Sequence, residues 1–415
     1  EGGEPAVRQY QPRVASLDKL PGAAPRDERA LRKAPLACGA GMKVQKASAS
    51  LGWVVRQSRR HKYMHMASVA ARPGGELVVA WQAAARTEGT SDQAIYYSVS
   101  RDGGKRWGAP TKFGAKQAGA RWAPVLYQPE GGGPLHLFYA DGNACHWGGR
   151  KDWRAGGDVK FTSTSDLRRW AAPKTILTEA SEGLIPKVVS NPPVELPRGG
   201  GGSTWVFPFW RQRPRKEAHC KVGGKDSSGV LVGTGEQQGK APNSWRVHGQ
   251  LNVPRAHGVP NPHMGSRLIE GAVARISGGR VLQLFRTTHN VIYASTSADG
   301  GKTWSPPSPT TLPMPNSKIH MISLATGELL LGYNAHRPRP RQRGMLYVAI
   351  SSDDGKKWRT LVKLEPRLVP STMYSYPTLT QVGCDVVVVY SYLRFGSNAD
   401  GGVKIAKINI DYTRR

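Results

Sequence analysis

A chain of 415 residues, 39% of them hydrophobic, is long enough to bury a large core, and its formal charge of +30 attracts polyanions in a salt-dependent way. No apolar run approaches the roughly 20 residues a spanning helix needs, so no membrane span is expected. With 49 Gly, 31 Pro and 12 Trp, short runs rich in Val, Tyr and Leu, and no sustained 3.6-residue apolar period, the composition excludes a helical protein and indicates an all-β one.

Residues 1–48 mix Pro, Ala, Arg and Lys without periodicity and predict an irregular N-terminal arm. The chain opens on Glu1 rather than methionine, as a processed product would, so any targeting segment is expected to lie outside it. From residue 49 to 412 one repeating unit predicts a single domain. An apolar strand, a glycine-rich turn and a second strand recur as MASVAARPGGELVVAW, PVLYQPEGGGPLHLFY, PVELPRGGGGSTWVFPFW, GAVARISGGRVLQLF, IHMISLATGELLLGY and PTLTQVGCDVVVVY. A third strand follows each hairpin, and the first five lead into Trp107, Trp170, Trp245, Trp304 and Trp358. A period of roughly 50 to 80 residues suits a six-bladed β-propeller of four-stranded blades. The sixth blade lacks a final strand, which GWVVRQ at 52–57 is expected to supply, closing the ring and removing exposed sheet edges.

The octets SRDGGKRW (100–107), SADGGKTW (297–304) and SSDDGKKW (351–358) follow third strands. Their aspartate can accept turn amides, their glycines can take positive φ, and their tryptophan can pack between sheets, so they read as folding clasps. STSDLRRW is a shortened copy, and the octet is lost before Trp245. Cys38, Cys145, Cys220 and Cys384 contain no CxxC pair, which argues against a structural zinc site and permits up to two disulfides of open pairing. HRPRPRQR (336–343) has no recognisable nucleic-acid module beside it, so nucleic acid is not an expected partner.

The pattern S-x-D-x-G-x-x-W at the third-strand turn is the Asp-box, and from about residue 50 to 412 the chain resembles the sialidase (neuraminidase) superfamily of six-bladed Asp-box, or BNR-repeat, propellers. MASVAARPGGELVVAW, TEGTSDQAIYYS, MPNSKIHM, LLLGYN and YSYP carry the likeness further, to the broad group of sialidase-like proteins. Because strand direction alternates, starts of first strands and ends of second strands share the end of the propeller away from the hairpin turns. That end collects His65, Glu88 and Asp92, then Arg121 and Trp122, Asn191, Glu270 and Arg286. It continues with Asn316, Asn334 and Arg337, and closes with Tyr374, Tyr376, Tyr392 and Arg394.

The resemblance implies a glycosidase acting on a terminal acidic sugar. Tyr374 or Tyr376, two alternate positions expected on one face, would be the nucleophile, Glu270 its base, and Asp92 the acid with Glu88 as rival. Arg286 and one of Arg337, Arg339, Arg341 or Arg343 would grip the sugar carboxylate, with Arg121, Asn316, Asn334, Tyr392 and Arg394 as further substrate contacts. The chain departs from the family where an R-I-P arginine would complete the clamp: it has MHMAS, with His65 nearest that place, as an anion contact when protonated, an acid or base, or a structural histidine. Two other classes fit the same residues. One is a polysaccharide lyase or His-dependent glycosidase on uronate chains, with His65 as base, Tyr376 as acid and Arg286 neutralising the carboxylate. The other is a non-catalytic basic propeller that binds acidic glycans or serves as an assembly subunit. No cofactor and no metal are expected, an acidic glycan is the expected partner, and oligomeric state and compartment stay open.

Overall fold

A computed structural model describes residues 38–114, 119–147, 150–153, 155–213, 226–235, 237, 239–257, 265–337, 343–396 and 400–415. Six antiparallel sheets form the six blades of a β-propeller. Blade 1 is Tyr63–Ala71, Leu77–Ala84, Ala94–Ser100 and Thr111–Lys112; blade 2 is Arg121–Tyr127, Leu135–Asp141, Asp158–Thr164 and Lys174–Leu177. Blade 3 begins with two short strands, Lys187–Val189 and Val194–Pro197, against Ser203–Arg211, followed by Ser227–Gly235 and Trp245–Leu251. Blade 4 is Leu268–Arg275, Val281–Thr287, Val291–Ser297 and Ser308–Pro313; blade 5 is His320–Ser323, Leu329–Asn334, Leu346–Ser351 and Arg359–Glu365. Among the described residues no helix is long and apolar enough to cross a membrane.

The second strand of each blade is covered on both faces, which is why it reads as a continuous apolar run and not as an alternation. Leu77–Ala84 is buried at every position. The core lies between blades: Leu77 and Val79 pack on Val389 and Ile405, Ile95 on Leu137, Val206 on Val281, and Leu284 on Leu331.

Blade 6 joins the two ends of the described chain: Thr372–Val382, Asp385–Arg394 and Asp400–Arg414 are completed by Met42–Arg56. The closing strand is longer than the expected 52–57 and starts inside the stretch read as an irregular arm, pairing from Met42↔Arg414 to Arg56↔Gly402. Its early residues are mostly exposed, so ladder hydrogen bonds define it and no apolar alternation announces it. A Cys38–Cys384 disulfide ties the residues before this strand to the hairpin turn of the same blade, across a separation of 346 residues. Cys145 is also disulfide-bonded, and Cys220 lies outside the described residues.

The octets act as the sequence suggests. Ser297 Oγ donates to Asp299 at 2.9 Å and accepts from Gly301 N at 2.9 Å, Asp299 accepts from Lys302 N and Thr303 N at 3.0 and 2.9 Å, and Trp304 Nε1 closes on Gly301 O at 2.9 Å. The copy at Asp353 repeats the pattern down to Trp358 Nε1 on Gly355 O at 2.9 Å, and the copy at Asp102 keeps the serine and aspartate bonds while Trp107 Nε1 has no partner among the described residues. Gly301, at φ +91, sits so close to blade 3 that an added Cβ would lie 2.9 Å from Val206, so the turn also fixes one blade against the preceding one. The shortened copy keeps the hydroxyl and carboxylate bonds, with Thr164 and Asp166 in the roles of serine and aspartate and Leu167 at φ 60, but Trp170 Nε1 has no partner among the described residues.

Partial desolvation of Asp299 is outweighed by its bonds to Thr303, Ser297 and Lys302, which hold its pKa down to about 2. A carboxylate with a depressed folded-state pKa stabilises fully above its unfolded value, near 4, and that contribution disappears as pH falls through the folded value. Asp299→Ala is therefore expected to lower the free energy of unfolding by about 1–2 kcal/mol at neutral pH. In urea titrations at several pH values, its difference from the wild type should shrink between about pH 4 and pH 2.

Candidate active site

The channel end of the propeller is shaped by β-bulges. In four blades the innermost strand slips register, between His65 and Ser68, Trp122 and Val125, Ile269 and Ala272, and Ser375 and Thr378. At each slip one residue other than glycine is left-handed: Met66 (φ 57), Ala123 (φ 49), Glu270 (φ 48) and Tyr376 (φ 63). Such a bulge re-aims a side chain, at a backbone cost of about 1–3 kcal/mol that the surroundings must offset.

Each bulge is held by a neighbouring blade. Asn191 Nδ2 donates to Gly271 O at 2.9 Å, Lys318 Nζ to Pro377 O at 2.7 Å, and Thr378 Oγ1 to Ala67 O at 2.8 Å, always at the carbonyl that follows the left-handed residue. Gln82 Oε1 accepts from Ala123 N at 2.9 Å.

Met66, Ala123, Glu270 and Tyr376 all line one cavity of about 200 Å³, together with Gln82, Glu88, Trp122, Trp210, Gln212, Arg267 and Arg286. Arg286 is its centre. Nη1 donates to Glu270 Oε2 at 2.8 Å and to Tyr376 Oη at 2.6 Å, and Nε donates to Asn316 Oδ1 at 2.8 Å. Glu270 and Tyr376 thus meet through one guanidinium nitrogen without a direct hydrogen bond between them. Nη2 has no protein partner among the described residues. Burial works against the Arg286 cation, but Glu270 and Tyr376 more than offset it and raise its pKa.

Burial raises the pKa of Tyr376, with Arg286 pulling it down and Glu270 pushing it up, so the phenol is neutral at rest. His65 packs against its ring, with centroids 4.1 Å apart and planes tilted by 51°, and is hydrogen-bonded through Nδ1 to Ser391 Oγ at 2.9 Å. Burial, followed by the charges of Arg343, Arg286 and Lys318, depresses the His65 pKa well below its usual value. That shift disfavours the imidazolium, and the ring is placed against the tyrosine. Arg343 lies over the Tyr376 ring, 5.2 Å from its centroid.

The structure distinguishes the two candidate acids. Glu88 is open to solvent as a residue, yet protein around its carboxylate strips hydration and raises its pKa against the bonds from Tyr63 and Gln82. Asp92 does not line the cavity. Against some desolvation, Thr90 and the Ala85 amide at 2.6 Å hold its carboxylate below the usual range, in an exposed turn near His61.

Several expected contacts fall elsewhere. The bulge at Tyr376 breaks the alternation that would have put it on the face of Tyr374. Tyr374 instead stacks on Tyr392 at 5.4 Å, and burial followed by Glu365 pushes its pKa up to about 12. Arg121 pairs with Asp141 at 3.4 Å over Phe113 and Tyr139, and Asn334 Nδ2 clamps the carbonyls of Gly344 and Tyr374 at 2.8 and 2.7 Å. Tyr392 packs edge-on to Trp53, while Arg337 and Arg394 are exposed away from the cavity lining. Arg339 and Arg341 lie outside the described residues. Gln82, Trp210, Gln212 and Arg267 also line the cavity without a sequence signal of their own, although Trp210 stands at the second-strand position that Arg286 holds one blade later.

The BNR repeat-like domain family matches residues 75–388 of the chain. Among solved structures, a protein of unknown function from Dyadobacter fermentans superposes with a TM-score of 0.63 at 16% identity, covering 89% of this chain and 100% of that one. The NanB sialidase of Streptococcus pneumoniae gives 0.60 at 12% identity over 86% of this chain and 70% of that one. The α-L-arabinanase of Penicillium chrysogenum gives 0.51 at 15% identity, with coverages of 82% and 92%. No curated protein matches the chain. At these identities the structural likeness establishes the fold, and the chemistry has to be argued from the site.

Removing one member of a buried ion pair leaves the other uncompensated. Arg286→Met should therefore lower the unfolding free energy by about 3–5 kcal/mol, and adding Glu270→Gln should restore part of that loss in denaturant titrations.

Proposed function

Because the chain belongs to the BNR repeat-like family and has the six-bladed propeller of the sialidases, we propose that it is a glycosidase acting on a terminal acidic sugar of the sialic-acid type. The observation that carries this reading is Arg286 Nη1, which bridges Glu270 and Tyr376 in the wall of a cavity that also holds Glu88.

In this reading the sugar carboxylate docks on the unengaged Nη2 edge of Arg286, with Arg343 adding positive field. An anionic ligand that draws the guanidinium toward itself leaves Glu270 beside Tyr376, free to take the phenol proton. Tyr376 Oη then attacks the anomeric carbon while Glu88, whose raised pKa keeps it protonated to higher pH than an ordinary carboxylate, gives its proton to the departing oxygen. Glu88 next accepts a proton from the water that cleaves the tyrosyl sugar, and Glu270 returns the phenol proton. A neutral phenol suits a reaction centre that bears a carboxylate, because it meets less repulsion than Asp or Glu would.

The test is hydrolysis of acidic glycosides with poor and good leaving groups. Glu88→Gln should slow poor-leaving-group substrates by about 10²–10⁴-fold and activated aryl glycosides by less than about tenfold, while Tyr376→Phe should slow both. Absence of turnover on every acidic glycoside, or unchanged rates in both variants, would contradict the mechanism. The His65–Tyr376 contact also favours a second reading, a lyase on uronate chains, which would reveal itself by ultraviolet absorbance from an unsaturated uronate product.

A further inference from the structure

The acidic-sugar reading above is the premise here, and the wall of the same cavity formed by blades 2 and 3 and the segment leading into blade 4 extends it. That wall contains Trp122, Trp210, Gln212 and Arg267, none of which takes part in the proposed bond cleavage. Its polar side-chain atoms without a partner among the described residues are all donors.

Arg267 is fixed through Nε by the fully buried carboxylate of Asp226, which also accepts from Arg213 N at 3.1 Å, so the Nη end of the guanidinium is oriented and has no partner among the described residues. Trp210 Nε1 donates to Gln212 Oε1 at 3.4 Å, which assigns the Gln212 oxygen and leaves its NH₂ without a partner among the described residues. Trp122 is 6% exposed, and its Nε1 is buried without a hydrogen-bond partner. A buried donor without an acceptor is costly, and three kinds of donor converging beside two indole rings call for an acceptor-only group carried on a ring that the indoles can cover.

We propose that this wall binds a second anionic group, a sulfate or carboxylate on the sugar next to the terminal acid. The substrate is then an acidic glycan with two neighbouring anionic residues, the first held at Arg286 and the second at Arg267. The high positive charge of the chain favours such a substrate over a singly charged one.

Calorimetric titration of the full chain carrying Tyr376→Phe tests this. The probes are α-sialyl-galactose, the same disaccharide sulfated in turn at each free galactose hydroxyl, and a disialyl disaccharide. At least one doubly anionic probe is expected to bind about tenfold or more tighter than α-sialyl-galactose. Whether a sulfated or the disialyl probe gains identifies the second group. The gain should vanish in Arg267→Gln/Asp226→Asn, which removes the cation without stranding a buried carboxylate, and diminish in Trp122→Phe. If α-sialyl-galactose binds and no doubly anionic probe gains more than about twofold, or if the gain survives the double substitution, the second subsite is refuted while the acidic-sugar reading stands. If α-sialyl-galactose itself does not bind, both fall.

Discussion

A guanidinium as deeply buried as that of Arg286 is tolerated only where its charge is neutralised and its protons are received, and here Glu270 supplies the countercharge while Glu270, Tyr376 and Asn316 receive the protons of Nη1 and Nε. Glu270, Asn316 and Tyr376 all take left-handed backbone, and in Glu270 and Tyr376 that backbone is a bulge stitched to the preceding blade through Asn191 or Lys318. The local strain is carried by the ring as a whole, since each bulge depends on a side chain from a neighbouring blade. Closure of blade 6 by the N-terminal strand therefore bears on the chemistry as well as on stability: Thr378, in the blade that strand completes, holds the carbonyl of Ala67 beside the Met66 bulge.

The positive field around Tyr376 has a second consequence. Burial together with Arg343, Arg286 and Lys318 keeps His65 neutral, and burial brings Lys318 itself down to about 7 against the pull of Glu270. A site that discourages protonation of its own bases is one that an incoming anion relieves. The substituted arginine at the start of blade 1 fits this picture, because a further cation at His65 would add to a field that already suppresses ionisation of the histidine.

Much of this was legible in the chain. Second strands covered on both faces announce themselves as apolar runs, and the octets carry their own hydrogen-bond logic, so blade number and turn chemistry could be read directly. The closing strand was legible only at 52–57, because its earlier residues lie at an exposed edge and leave no apolar pattern. At the site, Glu270, Arg286 and Tyr376 were legible as residue types at the right ends of strands. The choice between Tyr374 and Tyr376 was not, because a bulge inserts a residue without altering composition, and strict alternation put both on one face. Asp92 and Glu88 lie in one short turn, and what separates them is three-dimensional: hydrogen bonds hold the Asp92 carboxylate down, while protein packed around the Glu88 carboxylate raises it against its own hydrogen bonds. Gln212 and Arg267 were missed because they stand just beyond strand ends, where no period points to them.

In the proposed function the bulges deliver Glu270 and Tyr376 to Arg286 so that the three receive an acidic sugar. A crystal soak of the protein with an unreactive sialic-acid analogue tests it most directly. The account requires the ligand carboxylate on the Nη2 edge of Arg286 and the anomeric carbon facing Tyr376 Oη. Density for the analogue over Tyr374 and Tyr392 instead, or a regular strand through Tyr376 with its hydroxyl turned away from Arg286, would contradict it.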